Sequence, residues 1–294
     1  MTPLVAVTQR VAVDPIHGVM WLPERCGPFA DERGCAPVPS AFSGKRAMRA
    51  LILAAGRGSR MGPLTDAVPK CLVPLGGRPL LEWQMTALRA AGIDAIAVVR
   101  GYNAHTLDGR GLVAFDNPRW ADTNMVASLV CAATWLREQP VIVSYGDIFY
   151  PPSAVAALVA APGDIAITYD PDWLALWSQR FADPLSDAET FGLSGSRVVD
   201  IGRRTTSVDE IRGQYMGLLK FTPAGWAAVE AYVGRLSPAR RDRLDMTSLL
   251  AGLIQAGHWV EGVLVPGPWG EVDSAEDVAL YERWIADGRL EKAV

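Results

Sequence analysis

Hydrophobic and polar positions follow two different periods along the chain. Short apolar runs, closed by glycine or polar residues, predict buried strands at 48–54, 95–99, 111–115, 141–144, 165–169, 215–221 and 259–265. Apolar residues at helical spacing predict helices at 79–91, 124–136, 223–236, 246–256 and 274–285. Strands that alternate with helices are typical of α/β proteins. We therefore expect a doubly wound, mainly parallel (mixed) sheet with helices on both faces.

Local signals define two helix starts, one hairpin and one irregular stretch. Pro223 stands near the first helical position of its helix, and Ser274 can cap the last helix. Ser-Gly-Ser at 194–196 separates two apolar runs and predicts a β-hairpin. Regular spacing fails at 170–190, a segment that we interpret as a lid or an insertion.

Residues 1–47 depart from this alternation. A short apolar run at 4–8 is followed by repeated Pro and Gly, which break regular structure. The start, Leu-Val-Ala-Val-Thr-Gln-Arg-Val, resembles the first strand of the glutamine amidotransferases that hydrolyse γ-glutamyl amides. The segment has no room for the nucleophilic Cys and catalytic His of such a domain. We therefore predict an atypical extension at 1–47, either without chemistry or the remnant of a fusion, followed by one α/β domain at 48–294.

Charge and composition narrow the class of partner. The 294 residues carry a net charge of −4, which favours neither nucleic acid nor an anionic membrane. No apolar run reaches the ~18 residues of a membrane span, and no basic region with a long apolar segment indicates a secretion signal. The 4 Cys lack C-x-x-C spacing, which favours free thiols in a reducing compartment, so we expect a cytoplasmic protein.

A glycine-rich, basic loop ends the first predicted strand. Gly56 and Gly58 let the backbone approach a bulky anion, and free N–H groups there can point at phosphate oxygens. Arg57, Arg60 and Lys70 place up to three positive charges beside the loop. The loop has neither the Gly-Lys-Ser/Thr ending of a P-loop nor the third glycine of the dinucleotide fingerprint at the required spacing. The pattern indicates a nucleoside triphosphate site of another type.

The longer string around this loop is far more specific. Residues 53–61 read Leu-Ala-Ala-Gly-x-Gly-Ser-Arg-Met, and residues 63–81 read Pro-Leu-Thr-x-x-x-Pro-Lys-x-Leu-Val-Pro-Leu-Gly-Gly-Arg-Pro-Leu-Leu. Together they resemble the opening of the nucleotidyltransferases of the NDP-sugar pyrophosphorylase type. The resemblance implies a Rossmann-like nucleotidyltransferase fold. It also implies that a phosphate oxygen of an acceptor attacks the α-phosphorus of a nucleoside triphosphate, and that pyrophosphate leaves.

Two cations match the motifs of that family. Arg60 matches the Arg of Gly-x-Gly-Ser/Thr-Arg, which implies a contact with the β- and γ-phosphates, and Lys70 matches the Lys of Pro-Lys, which we expect near the α-phosphate. This chemistry must hold two anions in line and neutralise charge, so it calls for backbone donors, Arg, Lys and Mg²⁺ rather than a triad. Further nucleotide contacts are expected from Leu53, Ala54, Ala55, Gly56, Gly58 and Ser59.

Two acidic strings are candidate ligands for Mg²⁺. Asp147 follows a predicted strand in Tyr-Gly-Asp-Ile, at the end of the sheet where α/β proteins bind ligands, and the resemblance implies that it is a metal ligand. Trp-Gly-Glu-Val-Asp-Ser-x-Glu-Asp at 269–277 resembles the late motif of the family, which assigns Asp273 to the metal and leaves Glu271 secondary. Alternate residues of a strand face the same side, so Glu271 and Asp273 could both approach one site. Their carboxylate oxygens are the hard ligands that Mg²⁺ prefers.

Asn117 and the string at 123–129 bear on the choice of base. Asn-x-x-x-Ser-Leu within this string resembles a subgroup that transfers CMP to phosphocholine or aminoalkyl phosphonates. Asn124 and Ser128 would share a helix face and read a base edge or the donor phosphates; alternatively Asn124 caps the helix and Ser128 faces the core. The Glu-Lys-Pro segment with which sugar enzymes of this type hold the sugar phosphate has no good equivalent, so CTP is the favoured donor.

Several acceptor contacts fit the sequence. Trp173 and Trp177 could cage a cationic head group through cation–π contacts, or pack in a lid. Arg203 and Arg204 could receive a phosphate or carboxylate, or be exposed. The amidotransferase-like start adds phosphoglutamine to the candidate acceptors.

We therefore predict a Mg²⁺-dependent nucleotidyltransferase that transfers CMP from CTP to a small phosphorylated or phosphonylated acceptor. One alternative is a sugar-1-phosphate nucleotidyltransferase. The other is a non-catalytic nucleotide-binding regulatory module.

Overall fold

The structure is a computed structural model, and it describes residues 48–265 and 267–290. The predicted extension at 1–47 lies outside the described residues, so its fold and its suggested origin stay predictions.

A mixed sheet of nine strands forms the centre of the described part of the chain. Its strand order is β5-β4-β1-β6-β11-β8-β12-β10-β9, and two small two-stranded sheets pair β13 with β7 and β2 with β3. The strands are β1 Arg49–Ala54, β2 Pro74–Leu75, β3 Arg78–Pro79, β4 Ile96–Arg100, β5 Val113–Asp116, β6 Val141–Tyr145, β7 Ile148–Phe149, β8 Ile165–Asp170, β9 Glu189–Ser194, β10 Arg197–Arg204, β11 Gln214–Phe221, β12 Glu261–Leu264 and β13 Gly270–Glu271.

The direction of the strands matches the sequence pattern. The pairs β1/β4, β1/β6, β4/β5 and β8/β12 are parallel, whereas β11 runs antiparallel to both β6 and β8. The predicted hairpin is β9/β10, in which Gly195 takes the left-handed conformation with a φ of 63°. The prediction of a mainly parallel, mixed sheet is confirmed.

Helices cover both faces of the sheet, as predicted. They are α1 Leu80–Ala90, α2 Met125–Cys131, α3 Ala133–Glu138, α4 Pro152–Ala160, α5 Trp173–Arg180, α6 Pro223–Gly234, α7 Pro238–Asp242, α8 Met246–Gln255 and α9 Ala275–Ala286. Residues of α1, α4, α5 and α9 pack into one apolar core, and residues of α2, α3, α6 and α8 pack into a second. Alternate residues of β1 contribute to each core, because successive side chains of a strand point to opposite faces. Within the described ranges, no helix is long and apolar enough to cross a membrane.

Two predicted features differ from the structure. The single helix expected at 124–136 is two helices, because Ala132 leaves helical geometry with φ −99° and ψ 18° where it packs, fully buried, in the second core. The segment at 170–190 contains helix α5, although we predicted no regular structure there. Its polar neighbours concealed the apolar face of α5, which the first core buries through Trp173 and Trp177.

Candidate active site

The carboxyl ends of β1 and β6 form the base of the candidate site. The two strands are parallel neighbours, with Leu53 opposite Tyr145, so the glycine-rich loop and the Gly146-Asp147 turn leave the sheet side by side. A Cβ atom at Gly146 would lie 2.6 Å from the carbonyl oxygen of Leu53. Only glycine therefore allows this close approach, which places Asp147 beside the loop.

Lys70 lies at the centre of the site. It opens a short 3₁₀ turn, Lys70–Leu72, and its side chain packs against Gly58, whose φ of 71° belongs to the left-handed region. The ammonium nitrogen lies 2.7 Å from Oδ2 of Asp147 and also donates to Oδ1 of Asp273. Burial alone would lower the pKa of Lys70, but the carboxylates of Asp147, Asp273 and Glu271 raise it above its usual range. Lys70 is therefore charged.

The three acidic residues predicted as metal ligands are brought together. Asp147, Glu271 and Asp273 each offer a carboxylate oxygen, and these oxygens lie within 4.8 Å of one another. Strand β13 pairs with β7 in antiparallel fashion, and the N–H of Val272 donates to the carbonyl of Asp147 at 2.9 Å. This pairing carries Glu271 and Asp273 to the end of β6, as their alternation in an extended segment predicted.

The carboxylates differ in their protonation. Burial, together with the nearby charges of Asp273 and Asp147, raises the pKa of Glu271 to about 8. Burial acts in the same direction on Asp273, but Lys70 outweighs it and lowers the pKa of that carboxyl. The cluster thus combines one readily ionised carboxylate with one that resists ionisation.

The cluster has the donor set of a divalent cation site. All the candidate ligands are oxygens, the type that hard divalent cations prefer. Oδ1 of Asp147 is buried and has no hydrogen-bond partner among the described residues. A buried carboxylate oxygen is normally paired, so this atom is suited to a cation ligand. Asp147, Glu271 and Asp273 fit the metal that the sequence pattern implied.

Arg180 contacts two carboxylates of the cluster from the protein interior, and the sequence analysis missed it. Its side chain is fully buried, and Nε lies 2.9 Å from Oδ1 of Asp277. Its two terminal nitrogens lie 3.5 Å from Glu271 and 3.5 Å from Asp273. The guanidinium also stacks over the ring of Trp177, 5.1 Å from its centre. Because Arg180 ends the helix that we predicted to be irregular, no local pattern connected it with carboxylates more than 90 residues away.

Arg60 lies at the edge of the cluster. Its side chain is 71% exposed, and Nη2 lies 3.2 Å from Oδ1 of Asp273. The predicted cation of the glycine-rich motif is therefore near the acidic cluster and accessible to a ligand.

One cavity, of about 160 Å³, opens beside the glycine-rich loop; we call it the loop cavity. It brings together five of the residues predicted to bind nucleotide, Leu53, Ala55, Gly56, Asn124 and Ser128. Ala54 instead points into the first core, Gly58 contacts Lys70, and Ser59 is exposed. Trp120, which no motif marked, also lines the cavity.

Asn117 lies behind the loop cavity rather than in its wall. It is buried, and Nδ2 donates to the hydroxyls of Thr123 at 3.0 Å and Ser128 at 2.9 Å. Asn124 accepts a hydrogen bond from the N–H of Met125 at 2.7 Å, which is the capping role that we kept as an alternative. Asn117 therefore positions Ser128.

A second cavity, of about 180 Å³, opens beside the acidic cluster; we call it the acceptor cavity, after the role proposed for it below. Its wall includes Arg60, Glu271 and Asp273 from the cluster, and Trp177. Trp173 is not in this wall, because its ring is buried in the first core and its Nε1 donates to the carbonyl of Ile211 at 3.2 Å.

The aromatic cage, one of the two roles considered for Trp173 and Trp177, is not formed in this structure. Trp177 is 2% exposed, and its Nε1 donates to Asp187 at 3.2 Å. The packing role that we kept as the alternative describes both tryptophans. Arg203 is exposed and paired with Asp200 at 2.7 Å, whereas its neighbour Arg204 lines the acceptor cavity.

Comparison with known proteins gives consistent matches. A model of the family described as the MobA-like NTP transferase domain matches residues 50–201. The CTP:phosphoglutamine cytidylyltransferase of Campylobacter jejuni subsp. jejuni serotype O:2 is 36% identical over 250 residues, which are 79% of this chain and 98% of that protein. The glucose-1-phosphate thymidylyltransferase of Streptomyces griseus is 26% identical over 247 residues, which are 82% of this chain and 66% of that protein.

A solved structure shares the fold. The inositol-1-phosphate CTP transferase from T. maritima superposes with a TM-score of 0.65 at 21% identity, over 83% of this chain and 98% of that one. This likeness confirms the expected Rossmann-like nucleotidyltransferase fold.

Proposed function

Because the chain belongs to the MobA-like NTP transferase domain family, we propose that it is a Mg²⁺-dependent cytidylyltransferase. The family and the nucleotidyltransferase class agree with the resemblance seen in the sequence. The proposed reaction transfers CMP from CTP to a small phosphorylated or phosphonylated acceptor and releases pyrophosphate. We assign it to residues 48–294, and no step of it to residues 1–47.

One observation carries the proposal. The glycine-rich loop joins the two cavities, because Gly56 lines the loop cavity and Arg60 lines the acceptor cavity. Glu271 and Asp273 of the cluster are in the wall of the acceptor cavity, and Lys70 packs against Gly58 of the loop. A nucleotide in the first cavity and an acceptor in the second would therefore meet at the charged cluster, as in-line transfer between two anions requires.

The residues have the charges that this transfer needs. A phosphate oxygen of the acceptor forms the new bond to the α-phosphorus of CTP, and the bond between that phosphorus and the bridging oxygen of pyrophosphate breaks. The acceptor phosphate is already anionic near neutral pH, so no general base is needed. Lys70 and Arg60 neutralise charge on the phosphates, and Lys70 is held by Asp147 and Asp273. Mg²⁺, bound by Asp147, Asp273 and Glu271, would supply further positive charge for the phosphate oxygens.

The loop cavity supports a role in nucleotide binding. Backbone groups of Ala55 and Gly56, the hydroxyl of Ser128 and the ring of Trp120 are within its wall. Hydroxyl and main-chain groups can bond to a base edge, and an aromatic face can stack on a base. The preference for CTP rests on the cytidylyltransferase relative.

The test is pyrophosphate release from CTP, UTP, GTP, ATP and dTTP with Mg²⁺. The acceptors are phosphocholine, 2-aminoethylphosphonate, phosphoglutamine and several sugar 1-phosphates. We expect release with CTP and a non-sugar acceptor. The variants Asp147→Asn and Asp273→Asn should lose turnover, whereas Asp209→Asn, which changes an exposed acid outside both cavities, should not. Normal turnover in both cluster variants would contradict the metal assignment.

The runner-up is a sugar-1-phosphate nucleotidyltransferase. The 26% identity to a glucose-1-phosphate thymidylyltransferase over 82% of this chain favours it as the second candidate. Release only with a sugar 1-phosphate would establish it. Nucleotide binding without release from any pair would instead support a non-catalytic module. Deletion of residues 1–47 should leave turnover unchanged; loss of turnover in a folded deletion variant would contradict the assignment to 48–294.

A further inference from the structure

Beyond the acidic cluster and Arg60, the wall of the acceptor cavity carries further charges of both signs. Asp187 and Glu189 contribute carboxylates, and Arg204 contributes a guanidinium. Glu189 and Arg204 are cross-strand partners in the β9/β10 hairpin, so one rigid element presents both charges. Arg60, Glu271 and Asp273, at the site of the proposed transfer, are in the same wall.

Main-chain carbonyls hold Arg204, and its charge interacts with the carboxylate of Glu189 without forming a salt bridge. Its Nη1 donates to the main-chain carbonyls of Ser186 at 3.1 Å and Asp187 at 2.8 Å. Arg204 makes no salt bridge to a carboxylate within the described ranges. A guanidinium held by main-chain carbonyls retains its full charge and its remaining donors for an anionic ligand, and carboxylates suit its geometry.

Gln214 adds an unmet hydrogen-bond acceptor to the same wall. The residue is 9% exposed and lines the cavity, and its Oε1 has no hydrogen-bond partner among the described residues. Buried amide oxygens are almost always paired, so this atom calls for a donor from a ligand. Glu189, which is half-buried in the same wall, favours a positively charged donor.

We propose that the acceptor has an α-amino-acid end, whose ammonium group meets Glu189 and Gln214 and whose carboxylate meets Arg204. Its phosphate faces Arg60 in the same wall and the neighbouring Lys70, which donates to Asp273. The inference rests on the proposed function for the identity of the site. It disfavours a quaternary ammonium acceptor for two reasons. Such a group has no N–H to give to Gln214, and the buried Trp173 and Trp177 form no cage around it.

A matched series of phosphate esters tests each part of the inference. Phosphocholine and phosphoethanolamine differ only in N-methylation, and phosphoserine adds a carboxylate to phosphoethanolamine. Phosphoglutamine presents the same amino-acid end on a longer chain. Binding of each compound to the full chain is measured by calorimetry with Mg²⁺, which requires no turnover. Pyrophosphate release with CTP is measured in parallel.

We expect the tighter of phosphoserine and phosphoglutamine to bind at least about tenfold more tightly than phosphoethanolamine, with phosphocholine weakest. Arg204→Met should remove the advantage of the carboxylate and leave phosphoethanolamine binding unchanged. Glu189→Gln should weaken phosphoethanolamine and the amino-acid compounds more than phosphocholine, because only their ammonium groups also lose an N–H bond to the carboxylate. Arg235→Met is the matched control, because Arg235 is exposed at the carboxyl end of α6 and is not in the wall of the cavity.

The outcomes separate this inference from the proposed function. The expected binding order without pyrophosphate release would uphold the amino-acid end and overturn the transfer reaction. Release with phosphocholine as the preferred acceptor would uphold the transfer and overturn the inference. Equal binding of all the compounds, or no binding of any, would also overturn it. So would an Arg204→Met variant that keeps the preference for a carboxylate.

Discussion

Arg180→Ala should destabilise the protein more than the loss of any surface arginine. The substitution removes a cation that contacts three carboxylates, those of Glu271, Asp273 and Asp277. Asp273 would keep Lys70 as a partner. Asp277 would lose its cation and keep only main-chain N–H donors, from Asp273 at 2.8 Å and Ser274 at 3.1 Å.

The size of the expected loss of stability follows from the burial of Arg180 and Asp277. The Arg180 side chain is fully buried, and that of Asp277 is 6% exposed. Removal of one partner of a buried ion pair costs about 3–5 kcal/mol, because the remaining charge is left without compensation. A protein of this size loses roughly 2–4 °C in Tm for each kcal/mol, so the Tm should fall by about 6–20 °C.

The assay is thermal and urea unfolding of wild type and Arg180→Ala, with Arg180→Lys as the conservative variant. Lysine keeps the charge but lacks the planar, five-donor guanidinium that pairs with the three carboxylates, so Arg180→Lys should lie between the two. Arg119→Ala is the matched control. Arg119 makes a two-bond pair with Asp242, at 3.1 and 2.6 Å, but its side chain is 59% exposed. The control should change Tm little, because water screens exposed pairs.

Equal Tm shifts in Arg180→Ala and Arg119→Ala would refute the reasoning, since burial would then not decide the cost. Addition of Mg²⁺ gives a further check. A cation that binds Asp273 and Glu271 replaces part of the positive charge lost with Arg180, so Mg²⁺ should raise the Tm of Arg180→Ala more than that of wild type.

Three further predictions test packing and buried ionisable groups. In Gly146→Ala the new Cβ would lie 2.6 Å from the carbonyl oxygen of Leu53. The free energy of unfolding in urea should fall by about 1–3 kcal/mol, and most of the pyrophosphate release should be lost. Wild-type turnover would contradict the close-approach argument. Burial raises the pKa of the Cys71 thiol to about 12, so peptide mass spectrometry should find it unalkylated in the folded protein near pH 8.5 and alkylated in urea. Because the unfolded chain loses this proton first, the contribution of the thiol to stability should fall as pH rises past about 9. Burial lowers the pKa of Lys220, so the folded state binds that proton less tightly and the contribution of Lys220 to stability should rise with pH up to about 10.5. Lys220→Met should remove this contribution, and a pH dependence of unfolding identical to that of the wild type would count against it.

Much of the fold followed from the sequence because its signals are local. Short apolar runs predicted the strands of the central sheet, and their alternation with helices predicted its mainly parallel order. Ser274 caps α9 through a reciprocal pair of bonds with Asp277, which the sequence indicated by its position before an apolar helix. The glycine-rich string indicated the family, because its close backbone approach depends on residues that are neighbours in the chain.

Other parts depended on packing between distant segments. Ala132 breaks the helix at 124–136 without any Pro or Gly to mark it, because contacts in the second core determine its conformation. Helix α5 forms where the sequence predicted no regular structure, because the first core buries its apolar face.

The sequence by itself determined the family and the position of Asp147 at the end of a strand. Only the tertiary structure decided which charges meet. Lys70 and Asp273 are separated by 203 positions, and Arg180 and Asp277 by 97. The same holds for the acceptor cavity, where the hairpin places Arg204 in the wall and Arg203 outside it. The physical reason is that local patterns reflect the period and the caps of single elements. Electrostatic partners depend on which elements the folded chain brings within a few ångströms.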